Sequence, residues 1–189
     1  EGIGFPVQSA YAEFARVLAT CDTPELRDYD RASQLAEWAC TATEWKDREI
    51  LHRFAQVHCA FAEDLAAQGQ VKEAVRLYAM SIEADPDFDV PLFNLALLLI
   101  TSPDAQFRQP GMAVELAERG CNLPTPPDAH KLAILAVAYS QTKRFGDAIA
   151  TVLEAIEMAR REGDQEMVEE LEYQLGFYRN GTAFGAESE

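Results

Sequence analysis

Residues 128–159 read DAHKLAILAVAYSQTKRFGDAIATVLEAIEMA. Apolar positions recur at helical spacing on both sides of a short polar turn, Gln141-Thr142-Lys143-Arg144. The small residues Ala136, Ala148 and Ala155 stand where two antiparallel helices must touch, and larger side chains there would hold the backbones apart. The stretch therefore specifies a helical hairpin. The rest of the chain repeats it.

Offsetting the sequence by 81 residues aligns Arg27 with Arg108. It also aligns Ala32, Leu35, Ala36, Glu37 and Cys40 with Ala113, Leu116, Ala117, Glu118 and Cys121. Asp47, Leu51 and Ala55 fall on Asp128, Leu132 and Ala136. Beyond Gly69 an offset of 74 takes over, placing Glu73-Ala74-Val75 on Asp147-Ala148-Ile149. The change implies that the helix before Gly69 carries seven extra residues, about two turns. Four helical hairpins result, grouped as two pairs.

Local signals place the helices. Pro6 and two glycines oppose helix in residues 1–8, which read as an extended arm carrying Ile3, Phe5 and Val7. Helices are expected over 9–20, 32–40, 48–68, 71–84, 90–101, from Gly111 or Met112 to Cys121, and then over the opening hairpin. Asp47 and Asp128 are N-cap candidates, while Gly69, Asp85-Pro86 and Gly163 are stops. Thr23-Pro24-Glu25 reads as a capped turn, and the connections over 21–30 and 102–110 as loops that bulge from one edge. A final helix within 162–179 has an apolar stripe and an acidic remainder, as an end cap requires, and 180–189 is an acidic tail. No stretch alternates apolar and polar residues as a strand would.

Gly69, Ala74, Tyr78 and Pro86 in the second hairpin, and Leu135, Ala136, Tyr139, Ala148 and Ala155 in the fourth, resemble the tetratricopeptide repeat (TPR) family. The resemblance covers residues 9–161. It implies an all-α solenoid of about four hairpins wound as a right-handed superhelix, and a concave face lined by the first helix of each hairpin. On that face it places Val90, Phe93, Leu97 and Ile100 as an apolar strip, with Asn94, His130, Ala133 and Val137 beside it. The same strip also fits a core, covered by the long second-hairpin helix or by a terminal arm, and the sequence leaves both readings open. Asn94 matches one asparagine of the family's carboxylate clamp, but His130 and Ile134 stand where its basic partners belong, so a clamp is not expected.

Thirty-two acidic residues against 16 basic ones give a formal charge of −16, a surface that repels phosphate backbones and anionic lipid. The longest apolar run, 92–100, contains Asn94 and falls well short of the ~20 residues that span a bilayer. Nucleic-acid binding and membrane insertion are therefore not expected. Cys21, Cys40, Cys59 and Cys121 form no CxxC pair and read as structural thiols. The chain opens at Glu1 rather than Met, so its N-terminus assigns no compartment, and a soluble protein, cytoplasmic or exported after N-terminal processing, fits the rest of the sequence equally.

No catalytic, cofactor-binding or metal-ligating pattern emerges. His52 and His58 are six apart, about 120° around a helix, and His58 reads as a core histidine. The glutamates at 166–172 read as a solvated helix face, and Asn180-Gly181-Thr182 is a short glycosylation sequon. The expectation is a non-enzymatic scaffold that binds a protein or peptide, basic and with apolar anchors, in its concave groove. The alternative is a structural subunit that self-associates head to tail through Ile3, Phe5, Val7 and Phe184.

Overall fold

A computed structural model of the chain describes residues 7–185. Among them are nine α-helices, two 3₁₀ turns and no strand. The fold is all-α, with neighbouring helices packing in chain order, consistent with an all-α solenoid-like fold. The helices divide between two compact units, Glu1–Pro91 and Leu92–Glu189.

The first unit contains α1 (Val7–Thr20), a 3₁₀ turn (Pro24–Leu26), α2 (Tyr29–Ala42), α3 (Arg48–Ala67) and α4 (Val71–Ala84). Its core is built from small residues where the helices cross. Ala12, Ala15 and Ala19 of α1 and Ala32, Ala36 and Ala39 of α2 are fully buried, joined by Cys40, Ile50, Phe54 and Val57. Burial pushes the Cys40 thiol up to about 11, and none of the four cysteines forms a disulfide.

The second unit takes in α5 (Val90–Thr101) from Leu92 onward, a 3₁₀ turn (Ala105–Phe107), α6 (Pro110–Cys121), α7 (Ala129–Gln141), α8 (Phe145–Glu162) and α9 (Gln165–Arg179). Its α6, α7, α8 and α9 pack each on the next. The two units repeat one plan at the 81-residue offset. Helices α1 and α5 end at Thr20 and Thr101, and the 3₁₀ turns coincide. The Asp28 N–H donates to Leu18 O (3.2 Å) and the Gln109 N–H to Leu99 O (3.0 Å), so both connections fold back on the preceding helix by the same bond. The bulging loops expected over 21–30 and 102–110 are therefore short turns held by backbone hydrogen bonds.

Aspartates start the helices as the sequence suggests. Asp47 accepts from the Glu49 and Ile50 N–H groups, Asp128 from Lys131 and Asp164 from Met167, each satisfying donors that the first helical turn leaves open. Gly163 ends α8 in the left-handed conformation (φ 77°), and Gly69 adopts it between α3 and α4 (φ 76°). At the 74-residue offset Lys143 takes the place of Gly69 and keeps its left-handed backbone (φ 62°).

The N-terminal arm needs correction. Val7 is the first residue of α1, not part of an extended segment, because a proline immediately upstream costs a helix nothing at its start. Its side chain is exposed. Ile3 and Phe5 lie outside the described residues. Helix α2 begins at Tyr29 rather than Ala32, since Asp28 caps it by accepting from the Arg31 N–H.

Candidate functional site: an apolar cleft in the second unit

Three helical stripes converge on one cleft of about 580 Å³. Helix α7 contributes His130, Ala133, Ile134 and Val137, spaced i, i+3, i+4 and i+7 along one face. Its opposite face, with Leu132, Leu135, Ala136 and Tyr139, is buried in the core. The last turns of α5 contribute Leu97, Ile100 and Thr101, and α9 contributes Met167, Glu170 and Gln174. Arg108, just after the 3₁₀ turn, and Phe184 complete the rim. The volume is that of an ordinary ligand pocket, and the floor is aliphatic.

Five residues expected on the binding face, Leu97, Ile100, His130, Ala133 and Val137, thus line a single cleft. Leu97 is 39% exposed there. Phe93 does not belong with them. It is only 2% exposed, and its ring lies against Gly120 of α6, with the Lys131 ammonium 6.0 Å from the ring centroid. Phe93, Leu97 and Ile100 share one stripe of α5, but its first turn is covered because Gly120 has no side chain to keep the ring out. Asn94 is half-buried and lies outside the cleft lining. Val90 falls in the first unit, where it borders a separate hollow with Phe88 and Cys59.

The first unit shows what the same face looks like when filled by its own charges. At the 81-residue offset Leu97, His130, Ala133, Ile134 and Val137 become Arg16, Glu49, His52, Arg53 and Gln56. Arg16 and Arg53 both bond Glu13 (2.5 and 2.9 Å), Arg53 also reaches Glu49, and His52 Nδ1 lies 2.5 Å from Asp85 Oδ2. Glu13 is held below the usual carboxylate range, chiefly by its hydrogen bond from Arg16. The first unit's face is thus polar and internally paired, whereas the second unit's is apolar and open.

Arg108 sharpens the contrast. Its counterpart Arg27 donates to Cys21 O (2.8 Å), Asp64 Oδ1 (3.1 Å) and Tyr29 Oη (3.4 Å). The Arg108 guanidinium makes no hydrogen bond or ion pair among the described residues. Across the cleft Gln174, almost fully buried, donates to Glu170 (3.4 Å) and accepts from the Tyr178 hydroxyl (3.3 Å). Burial raises the Tyr178 phenol well above its ordinary range, so it stays a neutral donor.

Sequence reasoning missed Arg108, Met167, Glu170, Gln174 and the position of Phe184. Met167, Glu170 and Gln174 follow an i, i+3, i+7 stripe, a signal hidden because two of its three members are polar. Phe184, expected as an assembly contact, docks on its own unit. Its ring meets Tyr173 and Phe177 edge to face, and Gln141 Nε2 donates to its carbonyl (2.8 Å). His58 is a core residue whose Nδ1–H donates to Phe54 O (2.9 Å), and burial holds its pKa below the ordinary histidine value.

Among the described residues no group of three or more His, Cys, Asp or Glu side chains is placed to hold a metal ion, and no helix is long and apolar enough to cross a membrane. Compared with known families and with curated proteins, the chain matches no family model and no curated sequence.

Proposed function

We propose that the chain is a non-enzymatic, TPR-like binding module whose second-unit cleft holds an apolar segment of a partner protein. The observation that carries this reading is the contrast between the two units. Arg16, His52 and Arg53, all ion-paired in the first unit, become Leu97, Ala133 and Ile134 in the second, where they line an open cleft. An open apolar groove between helices is what a helix or an extended peptide fills with spaced side-chain anchors. The acidic surface around it favours a partner with basic flanks. Val137→Arg places a charged side chain in the middle of the cleft without touching the buried face of α7. Capture from the native source, quantified by mass spectrometry, should lose specific partners with this variant while its circular dichroism stays unchanged. Identical capture by both forms would refute the cleft as the binding surface.

A second reading, self-association, is supported by a different surface. Tyr11, Phe14, Val17 and Trp38 are all exposed on the first unit, Tyr11 meeting Trp38 at 4.8 Å and Arg31 lying over Phe14 at 5.6 Å. Their counterparts at the 81-residue offset include Leu92 and Leu95, which are buried. An aromatic face of this kind suits a second copy of the chain. Light scattering should show an oligomer that Trp38→Glu dissolves, and a wild-type chain that stays monomeric as concentration rises would rule this reading out.

A further inference from the structure

We propose that the segment bound in the second-unit cleft carries a carboxylate, received by Arg108, one helical turn after an apolar anchor. The inference rests on the cleft reading above and is drawn from the chain's own duplication.

In the first unit Arg27 is held by Asp64, and Phe61, one turn earlier on α3, stacks on Tyr29 (4.6 Å, 6° between planes). Both come from the two extra turns that α3 has and α7 lacks. At the 81-residue offset Gln141, the last residue of α7, matches Ala60, after which α3 continues to Ala67. The second unit therefore keeps the arginine but has lost the helical segment that supplies its counter-ion. Gln141 and Arg108 both line the cleft, so the opening reaches the end of α7, beyond which that segment would have run.

A guanidinium beside an apolar floor is a strong selector. Arginine binds a carboxylate through paired N–H donors, and the bond gains strength where a ligand displaces water. The other charged group lining the cleft, Glu170, already accepts a hydrogen bond from Gln174. His130 lies at the start of α7 and adds no fixed negative charge. A partner helix that replaces the missing turns would bring an aromatic or aliphatic side chain to the floor and an Asp or Glu three residues later to Arg108, in the spacing of Phe61 and Asp64. Basic residues on the rest of the partner suit the acidic surface outside the cleft.

The test is a phage-displayed library of random peptides, panned in parallel against the full chain and its Val137→Arg variant. Peptides retained by the first and lost by the second use the cleft. These should be enriched in an apolar-x-x-Asp/Glu pattern. A synthetic peptide of that pattern should bind Arg108→Glu roughly ten- to a hundredfold more weakly. Changing its acid to lysine should restore binding to Arg108→Glu, a charge swap that a merely structural arginine would not show. The variant should fold normally, because Arg108 bonds no described side chain. Cleft-dependent peptides without acidic enrichment, or peptides that bind Arg108→Glu as tightly as wild type, would overturn the proposal while sparing the cleft reading. No cleft-dependent peptide at all would overturn both.

Discussion

Replacing Phe93 with alanine is expected to destabilise the second unit by about 3–5 kcal/mol, the usual loss when a buried aromatic is cut back in a packed core. Whole domains have only about 5–15 kcal/mol to lose, so the variant should unfold at a much lower urea concentration. The reason lies in a matched pair. A Cβ added at Gly120 would sit 2.5 Å from Phe93 Cε2 and 2.7 Å from Cζ, so the ring fills the space that a side chain on α6 would take. At the same crossing of the first unit, Ala12 takes the place of Phe93 and Ala39 that of Gly120, both fully buried. Gly120→Ala alone should therefore also destabilise. Its helix-propensity gain of up to ~1 kcal/mol is outweighed by overpacking worth about 1–3 kcal/mol. In the Phe93→Ala background the same change should become neutral or favourable, giving a clear coupling in a double-mutant cycle. A Phe93→Ala chain with the wild-type urea midpoint would show that the ring is not held in this way.

Removing α9 by truncation after Gly163 should cost the most. Val168, Leu171, Leu175 and Tyr178 are at most 5% exposed, and α9 packs on α8. Burying each such side chain is worth ~1.5–3 kcal/mol. The four together reach roughly 6–12 kcal/mol, an upper bound that still compares with the stability of a whole domain. The outer face of α9 carries Glu166, Glu169 and Glu172, the last paired with Arg160 at 2.5 Å, so the helix turns charge to water while its apolar stripe packs on α8. The truncated chain should associate, as light scattering would report, and should lose cleft binding because Met167, Glu170 and Gln174 go with it. A monomeric truncated chain of unchanged stability would refute the capping role.

Much of the fold was legible because its signals are local. Helices α4 and α5 run over the residues that periodicity and flanking turn residues assign, and Asp47, Asp128 and Asp164 all cap the helices that follow them. Other features depended on contacts between one helix and the next. Glu44 and Trp45 both adopt left-handed backbone between α2 and α3, held as the Trp45 N–H donates to Cys40 O (2.8 Å) and its ring meets Phe54 edge to face. Nothing in the sequence around Trp45 announces that turn, since neither residue is one that favours it.

By itself the sequence determined that the chain is all-helical, that its plan is duplicated at an 81-residue offset, and where most helices begin and end. Each of these follows from spacing and capping within a few turns of one chain. Only the tertiary structure decided which side chains face a ligand. Phe93, Leu97 and Ile100 share one helical stripe, yet Gly120 buries the first and leaves the other two lining the cleft. Arg27 and Arg108 occupy matching positions, yet one is held by Asp64 and the other bonds no described side chain, because α3 outlasts α7 by two turns. A helix's own sequence sets which face a residue is on. Whether that face is covered depends on the length and side-chain size of the neighbouring helix, which periodicity does not encode.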